Sequence, residues 1–375
     1  MARKKVLLGH LNSMGDCLFA TVIARQIKEV DYPDCHLTWA VNSKCKQVVL
    51  MNPYVDEIWE IETENTTTAP EEWKQFVSNV EVKKNNGEFD FVFLTQIIGN
   101  LMRYDGGIRS SIYNNYPHKI TVPHQPIIRL SETEIENVKE FTNCHQLEEY
   151  KRVILLECGP DSFDSALNPQ TGYELALEIT QDEDTAVILS SNKQLTPAHK
   201  NIIDASSLTF RENAELTKYC DLFIGCASGI SWLTTTNWAK KLNMILVITQ
   251  ENTVFPSMIY DHEFINLPTD HIIEIKSNQD SIKKVLSCLN KISQDGFSTA
   301  TSIYNEKIKL TNFDFLHSQI KLALRNFDFK LCLSCLSRSI KRNGTKAILA
   351  TLLRDMIFSF PYNLVVKFLK NSKKL

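Results

Sequence analysis

Lys5-Val6-Leu7-Leu8-Gly9-His10-Leu11-Asn12-Ser13-Met14-Gly15-Asp16-Cys17-Leu18 decides how this chain is read. Val6 to Leu8 form a short, wholly apolar run, the pattern of a strand buried on both faces. A glycine follows at once, and a polar loop with a second glycine leads into a helical pattern from about Cys17 to Ile27. Strand, tight turn and helix in that order make one βα unit of a parallel sheet. Gly15 allows close backbone approach at the turn, and the amide N–H groups of a helix start favour a nearby anion. Asp16 is therefore expected at the edge of a cleft, on a rigid base, where a carboxylate can take a proton from an attacking hydroxyl. Ser13 and Asp16 are also residue types that cap helices, and spacing alone leaves both roles open.

Outward from this unit the alternation continues. Val6–Gly9, His36–Val41, Val55–Ile61 and Phe89–Leu94 read as strands, and Leu18–Val30, Lys44–Met51 and Pro70–Lys83 as helices. Ile97 to Pro126 reads as an irregular loop, and Ser131–Phe141 as a helix. After the polar stretch Thr142–Lys151 the pattern restarts. Strands at Arg152–Glu157, Thr185–Leu189, Leu222–Gly225 and Met244–Ile248 alternate with helices at Gly172–Thr180, Asn213–Tyr219 and Ile230–Lys241, and Asp280–Ile292 is a further helix. Two βα arrays in one chain predict an α/β protein of two Rossmann-like domains facing a cleft, with residues 1–145 and 146–299 as the domains and 300–375 as a helical extension.

Composition agrees with a folded protein: of 375 residues, 43% are hydrophobic and 23% charged. The basic start Arg3-Lys4-Lys5 is not read as a secretion signal, because the apolar run breaks at His10. Ten cysteines without regular spacing suit reduced thiols and a cytoplasmic setting. The net charge of −3 conceals an asymmetry, since residues 338–375 hold nine Lys or Arg against Asp355, a net +8, leaving −11 on the rest. A basic tail on an acidic body argues for a local anionic partner rather than general nucleic-acid binding. In that tail 356–362 and 364–370 mix bulky apolar residues with lysines, as membrane-surface helices do, although a tail packed on its own domain would show the same spacing.

Further polar clusters fall at strand ends. Cys226-Ala227-Ser228-Gly229 joins a strand to a helix and offers N–H groups, a hydroxyl and a glycine to a diphosphate. Ser190, Ser191, Asn192 and Lys193 follow another strand, while Arg211 and Glu212 precede the Leu222 strand; each pair of readings, nucleotide contact or ordinary loop and cap, stays open. Cys158-Gly159-Pro160-Asp161-Ser162 ends the first strand of the second array. In the first array His10, Asn12, Ser13 and Gly15 share the Asp16 loop. Gln96, Asn100, Arg103, Tyr104, Asp105 and Arg109 line an irregular segment suited to a polar, anionic acceptor. Cys332 and Cys335 form a lone C-x-x-C, and no metal site or Gly-x-Ser-x-Gly elbow is expected.

The segments Lys5 to Leu18, His36-Leu37-Thr38-Trp39-Ala40-Val41 and Asn52-Pro53-Tyr54-Val55-Asp56-Glu57-Ile58 resemble the start of the heptosyltransferases, glycosyltransferase family 9. The resemblance implies a GT-B fold whose first domain binds acceptor, with the family's proposed general base at Asp16. It implies no catalytic metal and no cofactor beyond the nucleotide-sugar donor. In the second half the family's Asp-Ser/Thr-Gly-x-x-His element corresponds to Ala227-Ser228-Gly229-Ile230-Ser231-Trp232, which keeps Ser-Gly and lacks the Asp and His. A family lysine has no counterpart near Ser165 to Pro169. The expectation is a glycosyltransferase, hexosyl- or heptosyl-type and inverting, that transfers to a surface glycan such as lipopolysaccharide or capsule. It would work in the cytoplasm, with residues 338–375 on an anionic membrane. A nucleotide-sugar epimerase of the same architecture and a non-catalytic nucleotide-sugar or glycan-binding protein are the alternatives.

Overall fold

Both arrays fold into parallel sheets, as their apolar runs predict. A computed structural model describes residues 3–63, 70–97, 103, 105, 107–159, 167–249, 256–308, 320, 327–346 and 348–349. The first sheet consists of β1 (Lys5–Gly9), β2 (His36–Asn42), β3 (Glu57–Ile61) and β4 (Phe91–Leu94), in the order β3-β2-β1-β4. The second consists of β5 (Arg152–Glu157), β6 (Thr185–Ser190), β7 (Ile202–Asp204), β8 (Leu222–Gly225), β9 (Asn243–Ile248) and β10 (Ile272–Lys276), in the order β10-β9-β8-β5-β6-β7. Together with the helices that connect the strands, this is the GT-B architecture.

Helices α1 (Met14–Gln26), α2 (Lys46–Val49), α3 (Pro70–Asn85), α4 (Ile108–Asn114) and α5 (Glu132–Cys144) belong to the first half of the chain. The second half contributes α6 (Pro169–Ile179), α7 (Glu212–Leu216), α8 (Gly229–Leu233), α9 (Met258–Phe264), α10 (Ser281–Asp295), α11 (Phe297–Tyr304) and a helix over Phe329–Asn343.

Strand side chains alternate between faces. Val6 and Leu8 enter one core and Leu7 another, with Trp73 and Phe76 of α3. Val153 and Leu155 join the core of Val6 and Leu8, whereas Ile154 and Leu156 pack on the opposite face with Val285 and Leu289 of α10. One apolar cluster thus runs through both sheets. At its centre Phe19 of α1 meets Trp232 of α8 edge-on at 5.5 Å and stacks on Tyr113 of α4 at 4.5 Å.

Strand order reverses beside β1 in the first sheet and between β5 and β8 in the second. Crevices beyond the carboxyl ends of strands at such reversals are where open α/β sheets bind ligands. The Asp16 loop leaves β1 at one reversal, and the loops after Glu157 and Gly225 leave β5 and β8 at the other.

Several elements depart from expectation. The helix predicted over Ile230–Lys241 stops at Leu233, because the hydroxyls of Thr234, Thr235 and Thr236 donate to the carbonyls of Ser231, Trp232 and Leu233 and compete with the helical ladder. The stretch read as irregular contains α4, whose Ser110 and Ser111 hydroxyls both bond to the Gly107 carbonyl. Ala300, assigned to the extension, is buried in the core of the second sheet, and the Glu306 N–H donates to the Glu274 carbonyl of β10. Of the basic tail, the described part docks on the body through Arg342 and Asn343; residues 351–375, which carry the expected membrane segment, lie outside the described residues.

Candidate active site between the two sheets

The Asp16 loop is held from below by Gln96, at the end of β4. Its Oε1 accepts the N–H groups of Leu11 and Asn12 at 2.9 and 3.0 Å, and its Nε2 donates to the Asn12 carbonyl at 2.6 Å. His10 is buried, with Nδ1 3.0 Å from the Thr95 hydroxyl, and its carbonyl accepts the Trp39 indole N–H at 3.1 Å. Burial lowers the His10 pKa to about 3, so the ring is neutral. Asn12 Oδ1 accepts the Cys45 thiol at 3.6 Å. His10 and Asn12 therefore lie beneath the loop as supports.

Asp16 is the third residue of α1, and its carboxylate reaches back to the N–H and hydroxyl of Ser13, the helix N-cap. Its side chain keeps 16% of its surface and forms an ion pair with Arg109, Oδ1 to Nη2, at 3.6 Å. Burial raises the Asp16 pKa, opposed by Arg109 and then by Ser13. A carboxylate so placed is a stronger base than a surface aspartate. The contacts to Ser13 leave part of the carboxylate open, so capping the helix does not preclude accepting a proton.

The second half meets this loop directly. A Cβ added to Gly15 would lie 3.3 Å from Gly229 Cα and 3.3 Å from Arg109 Nη2, so both glycines are required by the approach of the two turns. Across the same junction the Arg109 guanidinium lies over the Trp232 ring, 4.9 Å from its centre.

Ser228 is the N-cap of α8, and its hydroxyl oxygen accepts the N–H groups of Ile230 and Ser231 at 3.1 and 3.3 Å. Two of the N–H groups expected to face a phosphate are thus closed by the cap. Glu157, at the end of β5, is buried behind this turn; its Oε2 accepts the Cys226 thiol at 3.6 Å, and Ser228 also bonds to it. Burial pushes the Glu157 carboxyl up to about 7. Ser190 donates to Asn213 Oδ1 at 3.0 Å, while Ser191 and the exposed Asn192 flank Gly159 at the neighbouring strand end.

Two expected donor contacts lie elsewhere. Arg211 bridges the halves of the chain: Nε and Nη2 donate to Glu134, the latter at 3.0 Å, Nη1 donates to the carbonyls of Gln47 and Leu50 at 2.9 and 3.0 Å, and Nη2 also reaches the Arg129 carbonyl. All five of its N–H groups are engaged, so it is an inter-domain clamp. Glu212 accepts from Asn137 at 2.9 Å and from the Thr209 N–H at 2.7 Å, as a cap and tie to α5. Arg103 likewise donates to the Asn114 carbonyl at 2.9 Å and holds the end of α4.

The fold brings in residues whose role local sequence does not disclose. Arg342, from the C-terminal helix, donates to Asp105 at 3.3 and 3.4 Å and to the Tyr260 carbonyl at 3.0 Å, and pairs with Asp261 at 3.6 Å. Asp105, Arg342 and Asp261 thereby form a charged wall beside Arg109, joining both halves. The only signal in the sequence was the basic character of the tail. Cys332 and Cys335 are buried free thiols, and among the described residues no group of His, Cys, Asp or Glu is arranged to hold a metal.

No family model and no curated protein matches the sequence. Solved structures match the fold. A glycosyl transferase family 9 protein from Veillonella parvula superposes with a TM-score of 0.53 at 14% identity, covering 85% of this chain and 98% of that one. The E. coli ADP-heptose LPS heptosyltransferase II gives 0.50 at 13% identity, covering 77% and 98%. A UDP-N-acetylglucosamine 2-epimerase gives 0.44 at 10% identity, covering 88% and 98%. The chain thus has the fold of a divergent heptosyltransferase-like protein, and at these identities the likeness is one of fold.

Proposed function

We propose that this chain is a glycosyltransferase that moves a sugar from a nucleotide-sugar donor to a hydroxyl of a glycan or lipid-linked glycan, with inversion. The observation that carries the reading is Asp16: a partly open carboxylate, raised in pKa by burial, on a loop pinned by Gln96 and touching the turn of the opposite domain. Asp16 takes the acceptor proton while the acceptor oxygen attacks the anomeric carbon from the first domain. The nucleotide occupies the second, near Gly229, Ser191 and Asn192. A single displacement with one base inverts the anomeric centre. The reading assigns no metal or organic cofactor.

Thermal-shift measurements with ADP-, UDP-, GDP-, dTDP- and CMP-linked sugars test it, because a ligand bound only by the folded chain raises Tm. One donor class is expected to raise Tm and then to be consumed only with an acceptor present. Turnover without acceptor would identify an epimerase instead, and no shift with any donor would overturn the reading. We also place residues 351–375 on an anionic membrane. Vesicles containing phosphatidylglycerol should pellet the full chain but not a version ending at Leu349, which retains Arg342; equal pelleting would refute the membrane contact.

A further inference from the structure

Arg109 is a buried guanidinium, 7% exposed, with little to hold it. Its contacts are the ion pair to Asp16 at 3.6 Å and the face of Trp232. Among the described residues it donates no hydrogen bond, and Nε is buried without a partner. Arg211 and Arg342, buried in the same inter-domain seam, are by contrast richly bonded. Guanidinium groups removed from water normally have acceptors on their N–H groups. Of the neighbouring carboxylates, Asp105 accepts from the Gly107 N–H, Ser110, Asn114 and Arg342, while Asp261, paired with Arg342 at 3.6 Å, also attracts Arg109 by its charge but forms no ion pair or hydrogen bond with it. No described residue supplies an acceptor to the guanidinium, which leaves it available to an anion from outside the chain.

The position of Arg109 indicates which acceptor. Its Nη2 and the Gly229 backbone both stand 3.3 Å from the Cβ position of Gly15, so the guanidinium lies where the two glycine turns meet. The donor half offers no equivalent in the residues first considered: Arg211 is closed off in the clamp and Lys193 is exposed. We propose that Arg109, from the acceptor domain, is the cation that receives the leaving diphosphate, and that Asp16 releases it for this task during sugar transfer. This inference rests on the transferase reading above.

The charges balance within one step. Before reaction Asp16 and Arg109 neutralise each other. The acceptor O–H proton passes to Asp16, the acceptor oxygen bonds to the anomeric carbon, and the bond from that carbon to the phosphate oxygen breaks, its electron pair remaining on the diphosphate. Asp16 becomes neutral as the diphosphate gains its charge, so the field of Arg109 acts on the leaving group most strongly in the transition state. An interaction that strengthens along the reaction accelerates it, whereas one of constant strength does not.

Calorimetric titration with ADP, UDP, GDP and dTDP, beside the matching nucleosides, tests this. Arg109→Gln is expected to weaken the nucleoside diphosphate that the wild type binds by about tenfold to a hundredfold, with the nucleoside unchanged. Asp16→Asn should tighten the same diphosphate more in the wild-type background than in the Arg109→Gln background, the excess measuring the release of Arg109. Equal diphosphate affinity in Arg109→Gln and wild type, or no excess tightening in Asp16→Asn, would overturn the inference while leaving the transferase reading intact. A wild type that binds no nucleoside diphosphate would overturn both. Unchanged nucleoside affinity establishes that Arg109→Gln is folded; should it fail to fold, Arg109→Lys and the Asp16→Asn arm decide.

Discussion

The corner after β1 and the corner after β8 are built alike and do different things. Each is a strand, a glycine turn and a helix at a reversal of strand order, and the two turns touch through Gly15 and Gly229. In the first, Ser13 and Asp16 satisfy the helix start while the carboxylate remains partly open and paired with Arg109. In the second, Ser228 and Ser231 close the helix start on themselves, and the nearby carboxylate, Glu157, is buried. The same topology thus yields one corner with a partly open carboxylate and one whose polar groups are closed on themselves. The contrast also accounts for the placement of Arg109, since the second corner contributes few open donors of its own.

The contrast breaks first at Asp16. Asp16→Asn keeps the cap geometry and removes the base, so transfer from the donor found by thermal shift should fall by about a hundredfold to ten-thousandfold. Progress curves of nucleotide release with acceptor present measure this. A loss below about tenfold would make Asp16 a cap alone, and the two corners would then be equivalent.

Arg211 sets how the corners face each other. Arg211→Ala leaves Glu134 and three carbonyls without their partners at the seam between the halves. Removing one member of such a buried pair should reduce stability by about 3 kcal/mol, read from urea unfolding. If Arg211 served the nucleotide instead, the variant would unfold like the wild type and lose only donor affinity.

Glu157 sharpens the comparison through pH. Burial raises its carboxyl from 4.5 to about 7, and Glu274, capping α9 through Ser257 and Ile259, is raised to about 7 as well. Between the unfolded and folded values the native chain holds a proton that the unfolded chain has lost. The stability each of these two groups contributes therefore falls as pH rises through that window and levels off above it. Each group accounts for a loss of about 3 kcal/mol. Glu157→Gln should remove that group's own share, about 3 kcal/mol, of the pH dependence between about pH 5 and about pH 8, measured by denaturant unfolding against the wild type. An unchanged decline would mean that Glu157 is ionised in the native chain.

Much of this was legible in the sequence for a physical reason. Strands buried on both faces are largely apolar runs, so β1, β2, β5, β8 and β9 declare themselves, and the place of Asp16 in the first turn after β1 is legible because that turn is local. What stayed hidden depends on distant partners. Helix α4 looked irregular because its polar residues are satisfied by Asp105 and Gly107 rather than by solvent. Arg211 stays open between nucleotide contact and cap in the sequence, since nothing near it reveals Glu134 or Gln47. Arg342 was lost in the charge of the tail, and only the fold places it between Asp105 and Asp261.

Ser228 carries the smallest expected effect and separates cap from ligand most cleanly. Its hydroxyl oxygen already accepts two backbone N–H groups, and it bonds in turn to Glu157, so its hydrogen-bonding capacity is met within the chain. Ser228→Ala should then reduce stability by about 1 kcal/mol, and Ser228→Gly by only a few tenths, because glycine tolerates the N-cap position. Neither change should alter affinity for the nucleoside diphosphate by more than about twofold. A loss of affinity matching that of Arg109→Gln would show the hydroxyl turning from the cap to the phosphate on binding. The second corner would then join the first as a working part of the site.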